Sequence, residues 1–190
     1  MVRFIKLLCI IGILQLLSLP SYSQRWGEKG LRDLDGKPVK LSTFDKKLKA
    51  IVFLSPECPL SQNYTLVLNQ IQEENKETTD VIGVFPGTSY TPDEYQTFQK
   101  KYNIKFPLLT DSAKKLVDAL GAKVTPEVFL LDVHDQVIYS GAIDNWIIDL
   151  GKKRRQATTH YLSDAIAAAV QIKTVQPVST KAIGCFILDL

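Results

Sequence analysis

Cys58 is the residue of this chain whose type and place point most directly to chemistry. It follows a near-continuous apolar run, KAIVFLS at residues 49–55, and stands directly before Pro59, where an amphipathic segment begins. A strand leading into a helix puts the sulfur beside the unpaired N–H groups of the first turn, at the positive end of the helix dipole. Both stabilise a thiolate and lower the thiol pKa, and the thiolate is the reactive form. Proline after the cysteine costs no hydrogen bond, because a first-turn N–H has no partner within the helix. A sulfur so placed could attack a disulfide or a peroxide. The position also suits a small buried residue at a strand end with no chemical role.

Ser61 occupies the place, three after Cys58, where a C-x-x-C dithiol would carry its second cysteine. No local disulfide can form, and outside the N-terminal leader Cys185 is the other sulfur. Closing so long a loop is feasible, since its entropic cost grows only with the logarithm of length. The pair could be an exchanging bridge. It could equally be a permanent staple stabilising the fold by roughly 2 to 4 kcal/mol, or two unrelated buried thiols. Gly184 fits a closely approached or flexible backbone, and a mobile tail would let Cys185 reach its partner. Glu57 could relay a proton, although its charge opposes the thiolate, or it could be a plain surface residue. Thr125-Pro126 precedes a predicted strand, and sequence alone assigns no cis bond there.

Other polar residues are weaker candidates. His134 falls in a predicted turn and His160 at a helix start, as cap or packing residue; two isolated histidines make no metal site. KKRR at residues 152–155, beside Trp146 and Asp144-Asn145, reads as a solvated basic face or a patch for an acidic partner. No G-x-S-x-G elbow and no phosphate-cradling glycine loop occurs.

These residues need elements to position them. Residues 1–23 have the layout of a secretory signal peptide: Arg3 and Lys6, a 13-residue apolar run, then small residues at Ser21 and Ser23. Cleavage after Ser23 takes Lys plus Arg from 23 to 21 against 20 acidic residues. So neutral a chain gives no reason to invoke nucleic acid. The run is short for a bilayer span and contains Gln15, so cleavage is expected in preference to a retained membrane anchor, with no stable membrane insertion after it. The expected location is periplasmic or extracellular, where a cysteine pair tends to be oxidised.

From Trp26 onward, short strands and helices alternate. A hairpin is expected around Asp35-Gly36, a buried strand over 49–55, and a helix from Pro59 to about 75 with Leu60, Tyr64, Val67, Leu68 and Ile71 on one face. A second buried strand spans 81–86. Thr91, Pro92 and Glu94 then form a helix start with a capping box. A strand begins at Phe106, and Asp111 caps a helix bearing Leu116, Val117 and Leu120, closed by Gly121. Residues 127–132 and 136–143 read as an antiparallel pair, and 159–172 as a last helix with Leu162, Ile166, Ala169 and Val170 inward. The tail ends in AIGCFILDL, a short strand or packed turn. This order predicts one α/β domain, residues 27–172, with a central mixed sheet covered on both faces, and a C-terminal tail, 173–190, carrying Cys185.

Three separated segments carry a family resemblance. GLRDLDGKPVKLSTF with AIVFLSPECPLSQNY, then VTPEVFLLD, then VIYSGAIDN, resemble the redoxin branch of the thioredoxin-like superfamily, which includes the alkyl hydroperoxide reductase and thiol-specific antioxidant proteins. THYLSDAIAAAV and TKAIGCFI resemble exported redoxin proteins whose tail bears a glycine-cysteine pair. The resemblance implies a thioredoxin-like fold with a four- or five-stranded sheet. It puts Cys58 at the nucleophile position, Pro126 as a cis proline against the sulfur, and Cys185 as resolving or structural partner. Thr125, Ser55, Ser61 and Glu57 would support the substrate pocket.

The chain also departs from its relatives' patterns. In the P-x-x-x-T-x-x-C pattern of peroxiredoxins, Ile51 stands at the proline position and Ser55 at the hydroxyl position. No arginine occurs between Arg32 and Arg154, so the role of a thiolate-holding cation would fall to a lysine, to Arg154 or Arg155, or to nothing. Ser61 and Gln62 depart from the dithiol and copper-delivery patterns. The expectation is an exported thiol-dependent oxidoreductase that needs no cofactor or metal. It would act on a peroxide or a protein disulfide, with an external thiol reductant (a thioredoxin-like protein or small thiol) reopening the Cys58-Cys185 bridge. The alternative is a redox-inert binding or structural module stapled by that bridge; a metal-handling accessory protein is a third reading.

Overall fold

A computed structural model describes residues 30–188; the expected signal peptide and Cys9 lie outside the described residues. A six-stranded mixed sheet forms the centre. Its strands are β1 (Leu31–Asp33), β2 (Leu48–Phe53), β3 (Thr79–Pro86), β4 (Leu108–Asp111), β6 (Glu127–Leu131) and β7 (Val137–Gly141), in the order β1-β4-β3-β2-β6-β7. β2, β3 and β4 run parallel, while β1, β6 and β7 join antiparallel. The four- or five-stranded expectation is corrected to six, because β1 pairs along β4. The second half of the expected N-terminal hairpin is a single bridge, Arg32 to Pro38, followed by a 3-10 turn at Leu41–Thr43.

β2 is buried at all six positions, as its apolar run requires of a central strand. Lys49 is buried with them because its Nζ reaches Asp135 Oδ1 at 2.8 Å. Alternate residues feed two cores. Ala50, Val52 and Leu54 pack with Tyr64, Leu68 and Ile71 of α1 (Pro59–Glu74), with Tyr95 and Phe98 of α2 (Pro92–Lys101), and with Leu162 and Ile166 of α4 (Tyr161–Val170). Ile51 and Phe53 pack on the other face with Leu116 and Val117 of α3 (Lys115–Leu120). Leu60 and Val67 are only half-buried, while Ser61 and Thr65 are buried in their stead. Val170, expected inward, is 37% exposed, because α4 ends there.

Local signals set the helix boundaries. Thr91 accepts from the Glu94 N–H while the Glu94 carboxylate accepts from the Thr91 N–H at 2.7 Å, completing the expected capping box. Asp111 is the last residue of β4 and not the residue before the helix. Its carboxylate reaches forward to the N–H groups of Lys115, Leu116 and Val117 at 2.8–3.0 Å. Burial raises its pKa against those hydrogen bonds, which pull it down. Gly121 closes α3 in the left-handed conformation, φ 72°.

Candidate active site

Cys58 is the residue that caps α1, in extended conformation, with Pro59 in the first helical turn and no acidic side chain there. The sulfur makes no hydrogen bond to the N–H groups of that turn, but it sits at the positive end of the helix dipole, and within the turn itself no carboxylate offsets that field. Only 2% of Cys58 is exposed. Its sulfur forms a disulfide with Cys185 across 127 residues, with the Cα atoms 6.1 Å apart. Cys58 Sγ also lies 3.1 Å from the carbonyl oxygen of Thr125.

Thr125 ends β5 (Val124–Thr125), and the bond from it to the buried Pro126 is cis. The turn before it is fixed by Glu127, whose carboxylate accepts from the N–H groups of Lys123 at 2.7 Å and Val124 at 3.3 Å. Sequence reasoning missed Glu127. A carboxylate three or four residues after the donors it serves is a common local pattern, but it has no fixed motif.

Of the other expected pocket residues, Ser61 is fully buried, and its Oγ accepts from the Ser55 N–H at 3.2 Å. It stands where a second cysteine could have been and instead ties the Cys58 loop to the helix. Ser55 Oγ lies 2.9 Å from the Tyr90 hydroxyl, which also reaches toward Glu57 Oε2 at 3.5 Å. Tyr90 thus joins Ser55 and Glu57 over the loop that carries Cys58, a role with no signal in the sequence. Glu57 itself is exposed.

The tail is docked in this bridged state. Ser140 N–H donates to Val178 O and Thr180 N–H to Ser140 O, so the tail first pairs with β7. Thr180 Oγ1 then lies 2.6 Å from the Tyr139 hydroxyl. Further on, β10 (Cys185–Phe186) pairs antiparallel with β5, Cys185 opposite Thr125. Gly184 makes this approach possible, since a Cβ there would collide with the Thr125 carbonyl. Of the two roles expected for Gly184, a closely approached or a flexible backbone, this state shows the close approach.

The remaining candidates stand elsewhere. His134 is an exposed turn residue, and the His160 side chain, also exposed, makes no capping hydrogen bond to α4. The basic run forms part of a small hairpin, β8 (Ile147–Asp149) with β9 (Lys152–Lys153), where Lys153 Nζ lies 5.1 Å from the Trp146 ring centre. The Arg32 and Arg154 side chains donate to the carbonyls of Gly36 and Asn145. Asp144 is buried beneath the hairpin and accepts from Tyr64 Oη at 2.5 Å and from the Trp146 N–H. Burial first, and then this carboxylate, push the Tyr64 phenol far up.

A cysteine capping the helix after the central strand, opposite a cis-proline turn, is the arrangement expected from the resemblance. The model of the Redoxin family matches residues 18–146. The chain belongs to the Redoxin family. Its fold is thioredoxin-like. The thiol-disulfide oxidoreductase ResA of Bacillus subtilis is 25% identical over 109 residues, 57% of this chain and 60% of that relative. This redoxin thus spans about three-fifths of the length of that curated relative. A hypothetical protein from Sinorhizobium meliloti has a similar solved structure, TM-score 0.76 at 25% identity, covering 86% of this chain and 91% of the other. A secreted Mycobacterium tuberculosis disulfide oxidoreductase shares the fold with TM-score 0.53 at 16% identity, over 76% of this chain and 96% of that one.

Proposed function

We propose that this redoxin is an exported thiol-disulfide oxidoreductase in which Cys58 is the nucleophile and Cys185 the resolving sulfur. The observation that carries the reading is the Cys58–Cys185 bridge at the first turn of α1, against the Thr125 carbonyl that precedes the cis Pro126. In the reduced protein the Cys58 thiolate attacks a substrate disulfide, and one substrate sulfur leaves with the bond's electron pair. Cys185 then attacks the Cys58 sulfur of the mixed disulfide and releases the second substrate sulfur, leaving the bridge. Two electrons pass to the substrate, and an external thiol returns them. Thr125, Pro126, Ser55, Ser61 and Glu57 shape the loop and turn on either side of the sulfur.

A disulfide substrate is favoured over a peroxide by what already engages the arginines and Ser55. The Arg32 and Arg154 guanidinium groups are engaged by backbone carbonyls, and Ser55 Oγ is turned to Tyr90. The relatives named as thiol-disulfide oxidoreductases support the same choice. Export rests on the composition of residues 1–23, and a periplasmic or extracellular destination follows from it. Among the described residues no helix is long and apolar enough to cross a membrane.

The test compares the reduced protein with its Cys58→Ser and Cys185→Ser variants, each offered a peptide disulfide and hydrogen peroxide. The reading expects rapid bridge formation with the disulfide, none with Cys58→Ser, and a persistent mixed disulfide with Cys185→Ser. Faster oxidation by peroxide than by the disulfide would replace it with the peroxidase reading. Inertness to both would leave a structural module.

A further inference from the structure

The two sulfurs of the bridge differ in who can reach them. Cys58 is 2% exposed, enclosed by the helix start and the Thr125 carbonyl. Cys185 is partly exposed and followed by Phe186 at 74%. An open cleft of about 280 Å³ leads to it, walled by Tyr90, Lys114, Thr125, Phe186 and Ile187; Cys185 lines this cleft and Cys58 does not. The rate of thiol–disulfide exchange depends on which sulfur is accessible and on how well the leaving sulfur carries negative charge. Both criteria point the same way. The accessible sulfur is Cys185, and the sulfur that would leave sits at the N-terminus of a 16-residue helix with no acidic residue in its first turn.

We propose that the external reductant opens the bridge by attacking Cys185, through this cleft, and that Cys58 is the leaving sulfur. The proposal rests on the reading of the bridge as an exchanging pair and adds to it the entry point of the thiol partner. The partner's thiolate bonds to Cys185 Sγ. The Cys58–Cys185 bond breaks, and its electron pair departs with Cys58 as thiolate. A second thiol of the reductant then attacks the partner's own sulfur in the mixed disulfide, releasing Cys185 and a reductant disulfide. In total two thiols are oxidised, two protein sulfurs are reduced, and the two protons pass from the one pair to the other. The transient adduct therefore rides on the tail, held at β5 by a two-residue pairing and by the Ile187 N–H to Lys123 O bond of 2.9 Å. Cys58 stays in its niche, ready for the next substrate. The cleft admits a small thiol or a single projecting cysteine, and the buried side of the bridge admits neither.

The experiment treats the oxidised full-length protein with reduced glutathione for short times, quenches in acid, and alkylates new thiols with N-ethylmaleimide before peptide mapping. The expected early product carries glutathione on Cys185 and the maleimide on Cys58, with roughly tenfold or greater excess over the reverse pattern. Glutathione found mainly on Cys58 would overturn the proposal while leaving the exchanging bridge intact. A bridge that glutathione and dithiothreitol both fail to open in the folded protein would overturn this proposal and the reading beneath it.

Discussion

At the scale of single residues, two small residues, Ser61 and Gly184, decide how the Cys58 sulfur is held. Ser61 Oγ gives the Ser55 N–H its partner across the Cys58 loop. Removing it leaves a part-buried donor unpaired, so Ser61→Ala is expected to cost about 1 to 3 kcal/mol, measured by urea unfolding of the oxidised protein. Gly184 acts through absence, because any Cβ would overlap the Thr125 carbonyl. Gly184→Ala should shift the equilibrium from bridged toward open by about fivefold to a hundredfold, the equivalent of roughly 1 to 3 kcal/mol of overpacking. Thiol mapping in a glutathione redox buffer reads that shift, and an unchanged bridged fraction would show that the tail docks another way. Cys58 and the absence of a C-x-x-C partner were legible as residue types. Tyr90 and Glu127 were not, since each acts across a turn or a loop whose course only the folded backbone supplies.

At the scale of elements, position comes from caps and apolar runs. The Thr91 capping box starts α2, whose Tyr95 ring stacks on Phe85 of β3 at 4.4 Å between centroids. Thr91→Ala should lower stability by about 1 kcal/mol with little effect on the bridge, checked by thermal unfolding alongside thiol mapping. A loss of exchange in that variant would mean that Tyr90, one residue before the cap, depends on the helix start. The helices and central strands were readable because their signals are local: Pro59 after a strand, Thr91 with Glu94, Gly121 after an apolar face. The six-strand count and the course of the tail were not. β1 is three residues long and β10 two, and both are set by pairing with distant strands, not by their own pattern.

At the scale of the molecule, the tail and the domain act as one body in the oxidised state. Tyr139 lies under the tail against Thr180, and burial, partly offset by that hydrogen bond, pushes its pKa up to about 12 from 10.0. Its folded value is raised, so its contribution to stability is complete below pH 10 and is lost as pH climbs through about 12. Alkaline titration followed by phenolate absorbance should show this tyrosine and Tyr64 ionising late, together with loss of the near-ultraviolet circular dichroism of the fold. Ionisation near pH 10 with the fold intact would place the tail away from Tyr139.

As an exchanging pair, Cys58 and Cys185 would form and break their bridge within the folded protein. The most direct measurement of this is an equilibrium titration of the oxidised protein in dithiothreitol redox buffers, reading bridge occupancy by mass and the fold by near-ultraviolet circular dichroism in the same samples. The expected result is a reversible two-electron transition with the domain folded on both sides of it. A bridge that is lost only together with the fold would make the disulfide a staple and rule out the exchanging pair.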